Sequence, residues 1–548
     1  METRIGVFLC NCGGGMKNID FDAVAARVTE MPGVACVNLS SNLCSKAGRE
    51  QMVSRIKEEN IDRVVVAACS PEFEEHVLWR ALEDAGLNEH LLSMANIREQ
   101  CSWAHEGDVT AKAVELVRMA VNGGRLLHPV EKKDLPVERG VLVVGGGFSA
   151  FSTALRLSST GVCTTLLVDA GTAGGGDQEL DSLCRLDMSS MVAAAERDEN
   201  IEMINSARIV AVRGTMGDFI VTMSRNGENR CRKFGAIVLA TGFRTGSALA
   251  PITGTKGEAV SGMNIVSQEQ LRDMLGAPLS GTKPDAIGFV FDFVDDSSRF
   301  STLASLSNAL AARRAWGSEV YVFCKDVKVD SQGAERLYRE ARDCGVVFVK
   351  CSGPPKVSTD NERIAVEARD VLLGEDAVVN CELLVAEELL FPSEGTRLLG
   401  SLLGVRLDAR GFYQDENVHL YPVASEKRGL FFVGECRGQS DVGRLLADIS
   451  CAVVSIQELL SAGTIAVEIE RVKADPQKCV ACLTCIRVCP HGAIQLMGTD
   501  GGKEVAAISD LACYACGICV AICPAKAIEF QDYRDDQMLA QIEALGEG

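Results

Sequence analysis

Eight cysteines toward the C-terminal end fall into two runs of one spacing. They are Cys479-x2-Cys482-x2-Cys485-x3-Cys489-Pro490 and Cys513-x2-Cys516-x2-Cys519-x3-Cys523-Pro524. Thiolates so spaced ligate a pair of [4Fe–4S] clusters, each cube taking three thiolates from one tight loop and its fourth from the other run. The pattern therefore assigns Cys479, Cys482, Cys485 and Cys523 to one centre, and Cys513, Cys516, Cys519 and Cys489 to the other. The proline after each fourth cysteine ends its loop. Zinc knuckles or disulfides would not need eight cysteines in this double register. The chemistry implied is the movement of single electrons.

Two further groups of residues could do chemistry. Cys10, Cys12, Cys44, Cys69 and Cys101 each lie just after a predicted strand. In an open parallel sheet ligands bind beyond the carboxyl ends of the strands. Five thiols at one such edge could hold a further [4Fe–4S] cluster, and Gly13-Gly14-Gly15 would let the backbone come close to it. The alternative for each is an ordinary buried or loop cysteine. The third group is Gly145-Gly146-Gly147-Phe148-Ser149-Ala150, a dinucleotide fingerprint that follows the apolar run Val141–Val144. Asp169 ends the next predicted strand, about 20 residues on, where an acid binds ribose hydroxyls.

These residues need a scaffold. Residues 1–130 read as four strand–helix units, with strands at Ile5–Leu9, Val34–Leu39, Arg63–Ala68 and Leu91–Ile97. Strands alternating with helices predict a parallel α/β domain. Lys132–Arg139 reads as a charged linker. Residues 131–282 and 391–465 form the domain around the fingerprint. Ala236–Leu239 runs into Ala240-Thr241-Gly242, and Gly429–Val433 runs into Gly434-Glu435. Such strand–turn elements close over FAD in two-lobed flavoproteins. Residues 283–390 read as an inserted α/β lobe, 470–532 as an α+β two-cluster module of bacterial ferredoxin type, and 533–548 as an acidic tail. Cys324, Cys344, Cys351 and Cys381 lack paired spacing and read as structural, while Cys184 and Cys436 fall close to the predicted flavin elements.

Composition narrows the class. The 548 residues imply several domains, and the formal charge of −20 argues against nucleic acid as a partner. Twenty-three cysteines, an odd number in a large core-rich chain, point to a reducing cytoplasm rather than a disulfide framework. No signal peptide and no membrane span is expected.

The order of domains resembles HdrA, the iron–sulfur flavoprotein of heterodisulfide reductase, and its bacterial relatives, which include quinone-interacting flavoproteins. The stretches that carry the resemblance are Ile5–Gly14 (IGVFLCNCGG), Val64–Pro71 (VVVAACSP) and Met94–Trp103 (MANIREQCSW), with the glycine fingerprint and the Gly434 segment. The resemblance implies a two-lobed, thioredoxin-reductase-like FAD fold and several [4Fe–4S] clusters. It also implies a complex with other redox subunits, fed by ferredoxin or by hydrogenase or dehydrogenase donors. In its best-known members the flavin splits an electron pair between two acceptors.

Three departures stand out. The family's extra ferredoxin module inside the FAD domain is absent, since residues 169–240 hold only Cys184 and Cys231. The family's C-x-x-x-C-C signature in the second lobe is replaced by a cysteine-free stretch, Phe291–Ser305. In pyridine-nucleotide disulfide reductases that lobe binds NAD(P)H, but here Asp295-Asp296-Ser297-Ser298 stands where a glycine turn would be. The expected function is therefore an FAD- and cluster-containing electron-transfer subunit. The alternative is a cluster relay on a degenerate flavin fold, and a free-standing NAD(P)H:ferredoxin oxidoreductase is disfavoured.

Overall fold

The computed structural model describes residues 3–168, 188–247, 264–277, 282–293, 299–360, 363–438, 442–499 and 501–547. The chain divides into two compact units, Met1–Leu135 with Ala466–Gly548, and Pro136–Ile465.

The first unit begins with a parallel four-stranded sheet. Its order is Val34–Ser40, Ile5–Cys10, Arg63–Ala68, Leu92–Asn96. The strands are nearly continuous apolar runs, as a sheet covered on both faces requires. Alternation along them sorts the side chains. Val7, Leu9, Val65 and Ala67 pack with the helices Phe21–Thr29 and Thr110–Gly124. Phe8, Val64 and Val66 pack with Lys46–Glu58 and Pro71–Ala85. All four strands end at the same edge, so the loops after them meet there.

The chain then returns to this unit for the C-terminal module. Two small antiparallel pairs, Val472–Ala474 with Ile528–Phe530 and Ile494–Gly498 with Glu504–Ile508, frame the cysteine loops. The tail, Asp535–Glu543, is a helix packed on Thr110–Gly124 of the N-terminal sheet domain. The contact is close enough that a Cβ on Gly123 would press on the Gln541 side chain. An ion network ties module to sheet domain. His90 is buried, with Nδ1 3.0 Å from Asp532 and Nε2 3.1 Å from Glu468. Arg471 reaches both carboxylates, at 2.6 and 2.9 Å, and Lys132 pairs with Glu89 at 2.5 Å and Glu83 at 2.8 Å. Burial alone would lower the imidazole pKa, but hydrogen bonds to Asp532 and Glu468 raise it to about 9. The hydrogen bond from His90 takes Glu468 down to about 2.

The second unit holds two parallel sheets of one design. The first runs Leu430–Phe432, Ala236–Leu239, Val141–Val144, Thr164–Val168, Ile201–Asn205, with a three-stranded antiparallel sheet over residues 208–234. The second runs Ile265–Val266, Leu383–Ala386, Ala286–Phe291, Glu319–Cys324, Val346–Lys350. It carries an antiparallel three-stranded sheet over residues 356–381.

Two expectations change in detail. Lys132–Pro136 is a strand rather than a bare linker. The second lobe also starts before residue 283, because Ile265–Val266 pairs with Leu384 and Val385 and the capped helix Gln268–Gly276 follows it. No described helix is long and apolar enough to cross a membrane.

Candidate iron–sulfur centres and nucleotide site

The two C-terminal loops repeat one backbone. Each bends at two left-handed residues, Ala481 (φ 53°) and Leu483 (φ 64°) in the first, Ala515 (φ 52°) and Gly517 (φ 74°) in the second. Each then enters a five-residue helix, Thr484–Val488 or Ile518–Ile522, and leaves it at an extended cysteine, Cys489 or Cys523. Left-handed alanine and leucine cost about 1 kcal/mol or more apiece, a strain that collects where function needs it. The bends bring the cysteines around two cavities. One cavity is lined by Cys479, Cys482, Cys485 and Cys523. A second is lined by Cys513, Cys516, Cys519 and Cys489. The crossed grouping is the one that the spacing assigns. Backbone N–H groups donate to the sulfurs of Cys479, Cys489, Cys513 and Cys523 at 3.3–3.4 Å. Such bonds favour thiolate and tune the potential of a bound cluster.

At the sheet edge of the N-terminal domain a cavity of about 180 Å³ is lined by Cys10, Cys12, Cys44, Cys69, Asn42 and Arg98, among others. The Cys10 sulfur accepts the Leu43 N–H at 3.5 Å. A hydrogen bond with Cys12, helped by Arg98, pulls Cys69 below the ordinary thiol range. Four of the five predicted thiols therefore converge.

Cys101 does not. It is fully buried in the core under Thr110–Gly124, with its thiol turned to the Val109 carbonyl at 3.8 Å. The cause is a five-residue π-helical turn, Arg98–Ser102, right after the fourth strand. The turn carries Arg98 to the cavity and Cys101 inward, and a π-turn cannot be read from strand–helix periodicity.

In the second unit the fingerprint folds as strand, turn and helix. Gly147 N-caps the helix Phe148–Ser159, and no side chain caps it. The first-turn N–H groups are thus left for an anion. Phe148, Ser149 and Ala150 are buried, and Ser149 Oγ is buried without a hydrogen-bond partner. A Cβ on Gly145 would overlap the Ala240 carbonyl, so only glycine lets these two strand ends touch. Gly434, at φ 76°, presses its backbone on Ser149 in the same way. Ala240, Thr241, Gly434 and Glu435 are buried beside the fingerprint, and Gly242 takes φ 52° at the turn. Arg437 pins the Gly434 loop from beneath through ion pairs with Asp415 and Asp448. An uncapped helix end, an orphan hydroxyl and converging glycines fit a pyrophosphate. Asp169, Cys184 and Asp295–Ser298 lie outside the described residues. The thiol of Cys436 is fully buried beneath the turn and pushed up to about 12 by that burial, which leaves it inert.

The second lobe meets its nucleotide position differently. Its strand Ala286–Phe291 ends at Asp292, a buried residue at φ 64°. Asp292 pairs with Lys328 at 3.0 Å, and its N–H donates to the buried Glu387 at 2.9 Å. A pyrophosphate at this strand end would meet carboxylates rather than a glycine turn. Cys324, Cys351 and Cys381 are buried in this lobe, their thiols raised by burial to about 12, 11 and 11.

The comparisons with known proteins follow the same lines. A family model described as a 4Fe-4S dicluster domain matches residues 478–527. Methanopyrus kandleri has two CoB–CoM heterodisulfide reductase iron-sulfur proteins of the HdrA type. The first of them is 28% identical to this chain, with 99% of this chain and 98% of the relative aligned. The HdrA component of the H2:CoB–CoM heterodisulfide,ferredoxin reductase of Methanothermobacter thermautotrophicus is also 28% identical, over 99% and 97%.

This chain is a relative of the HdrA component of heterodisulfide reductase.

It is accordingly an iron–sulfur oxidoreductase subunit that transfers electrons. The alignment to the Methanopyrus protein runs over 655 positions against a chain of 548, so a substantial part of that relative has no counterpart here. Residues 188–239, where the family's inserted module is expected, form a helix and the strands of the nucleotide domain. The thioredoxin reductase of T. acidophilum aligns over 59% of this chain and 99% of its own, at 16% identity and a TM-score of 0.38.

Proposed function

We propose that this HdrA relative binds FAD and passes its electrons, one at a time, through three [4Fe–4S] centres to partner redox proteins. The carrying observation is the pair of cavities at the C-terminal cysteines, each lined by three thiols of one loop and one of the other. In this reading Cys479, Cys482, Cys485 and Cys523 hold one cluster, and Cys513, Cys516, Cys519 and Cys489 another. Cys10, Cys12, Cys44 and Cys69 hold a third. FAD, when bound, supplies the exchange between paired and single electrons.

The rest falls to the chain's own residues. Gly145, Gly147, Phe148, Ser149 and Ala150 present the helix end to the pyrophosphate, and Ser149 Oγ donates to it. Asp169 takes the ribose, while Ala240–Gly242, Gly434 and Glu435 close the site. No side chain is assigned as a general acid or base, so chemistry on the terminal substrate belongs to a partner. That partner set is of heterodisulfide-reductase or quinone-interacting type.

A second reading is favoured by the cysteine-free stretch Phe291–Ser305 of the second lobe and the buried acids at its strand end. In it the flavin fold is scaffold and the clusters alone relay. Stepwise anaerobic reduction followed by visible and EPR spectra separates the two. The proposal expects flavin bleaching alongside the cluster signals, and cluster signals alone would refute it.

A further inference from the structure

We infer that Arg98 is the fixed charge that sets the reduction potential of the N-terminal centre. The inference rests on the reading of Cys10, Cys12, Cys44 and Cys69 as cluster ligands.

Arg98 is the one lysine, arginine, aspartate or glutamate among the described residues that line this cavity. Its Nη1 donates to the Cys12 sulfur at 3.6 Å. The remaining edges of the guanidinium are held. Nε and Nη2 donate to Glu99 Oε1 at 2.9 and 2.7 Å, and the group lies 4.7 Å above the Trp103 ring. The turn that presents it is fixed as well, because Asn96 Oδ1 accepts the Glu99 N–H at 2.9 Å. The Arg98 side chain is only 21% exposed, so solvent screens it weakly.

A cluster with four thiolates is anionic and becomes more so by one unit on reduction. A cation at hydrogen-bond distance from a ligand sulfur therefore favours the reduced state, since net charge and bonds to sulfur set such potentials. At the C-terminal cysteines, sulfurs meet neutral groups, the backbone N–H of Ala493, Ala506, Ala515 and Ala527 and the Thr484 hydroxyl beside Cys482. Arg98 thus distinguishes the N-terminal centre and gives it the higher potential. Glu99 opposes this by half-neutralising the guanidinium. The step affected is a single-electron transfer in which a donor loses one electron and the centre gains it, with no bond made or broken.

Opposite substitutions decide the matter. Arg98→Gln removes the cation and Glu99→Gln removes its counter-charge. The anaerobically purified full chain is titrated against potential and the centres are followed by EPR, with iron counted in parallel. Arg98→Gln should make reduction of the N-terminal centre about tenfold less favourable, a fall of about 59 mV for a one-electron couple. Glu99→Gln should move the same signal upward, Arg98→Lys should restore most of the loss, and the two C-terminal signals should stay put. If Arg98→Gln loses iron, the upward shift in Glu99→Gln still decides. An unshifted potential in both Gln variants, with iron retained, overturns the role of Arg98 alone. Iron near eight per chain in the unaltered protein overturns the centre and this inference together.

Discussion

Replacing His90 by Ala should loosen the C-terminal module from the N-terminal sheet domain, by an amount the geometry fixes. The imidazole is buried and its two nitrogens face Asp532 and Glu468 at 3.0 and 3.1 Å. Both nitrogens must then donate, so the ring is a cation. Two charge-assisted hydrogen bonds are worth about 1.5–3 kcal/mol each, and Arg471 still pairs with both carboxylates in the variant, so the loss falls near the lower bound of about 3 kcal/mol. Linkage gives the same size. Holding the proton to about pH 9 instead of 6.5 corresponds to about 3 kcal/mol.

The sign follows from the raised pKa. The contribution is complete below the unfolded value of 6.5 and is lost as pH climbs through about 9. Urea unfolding of the full chain, followed by the cluster absorbance, measures it. The difference between unaltered protein and His90→Ala should be about 3 kcal/mol at pH 6 and close to nothing at pH 10. A difference of equal size at both pH values would mean that His90 acts by packing alone and would refute the charge argument.

Other outcomes follow from the same residues. Cys482→Ser should cost about four iron per chain and one EPR signal while the Cys513 centre persists, as iron analysis would show. Cys12→Ala should abolish the N-terminal signal, whereas Cys101→Ala should keep it and only lower stability by about 1 kcal/mol, because Cys101 is core. Ser149→Ala should leave thermal stability of the flavin-free protein unchanged, since its hydroxyl has no partner there, and weaken FAD about five- to tenfold by equilibrium titration. Gly145→Ala should reduce folded yield, because the new methyl would strike the Ala240 carbonyl.

Much of this was legible in the chain. The eight C-terminal cysteines announce their own grouping, because the loop backbone that x2-x2-x3 spacing permits is narrow. The four parallel strands and the fingerprint helix follow from apolar runs and glycines, which are local signals. What was hidden depended on tertiary context. The π-turn at Arg98–Ser102 exchanges the roles of Arg98 and Cys101, and nothing in the run Arg-Glu-Gln-Cys-Ser marks it. The union of tail, module and sheet domain through His90, Glu468 and Asp532 joins residues more than 370 positions apart. The short strand Ile265–Val266 gains its pairing only from Leu384 and Val385, far along the chain.

The central claim is that a flavin and iron–sulfur centres work in one chain. The measurement that tests it most directly is the flavin released, on denaturation, from anaerobically purified protein, with iron counted on the same sample. The account predicts close to one FAD per chain alongside about twelve iron. Intact C-terminal clusters with essentially no flavin would contradict it and leave a cluster relay built on a flavin fold.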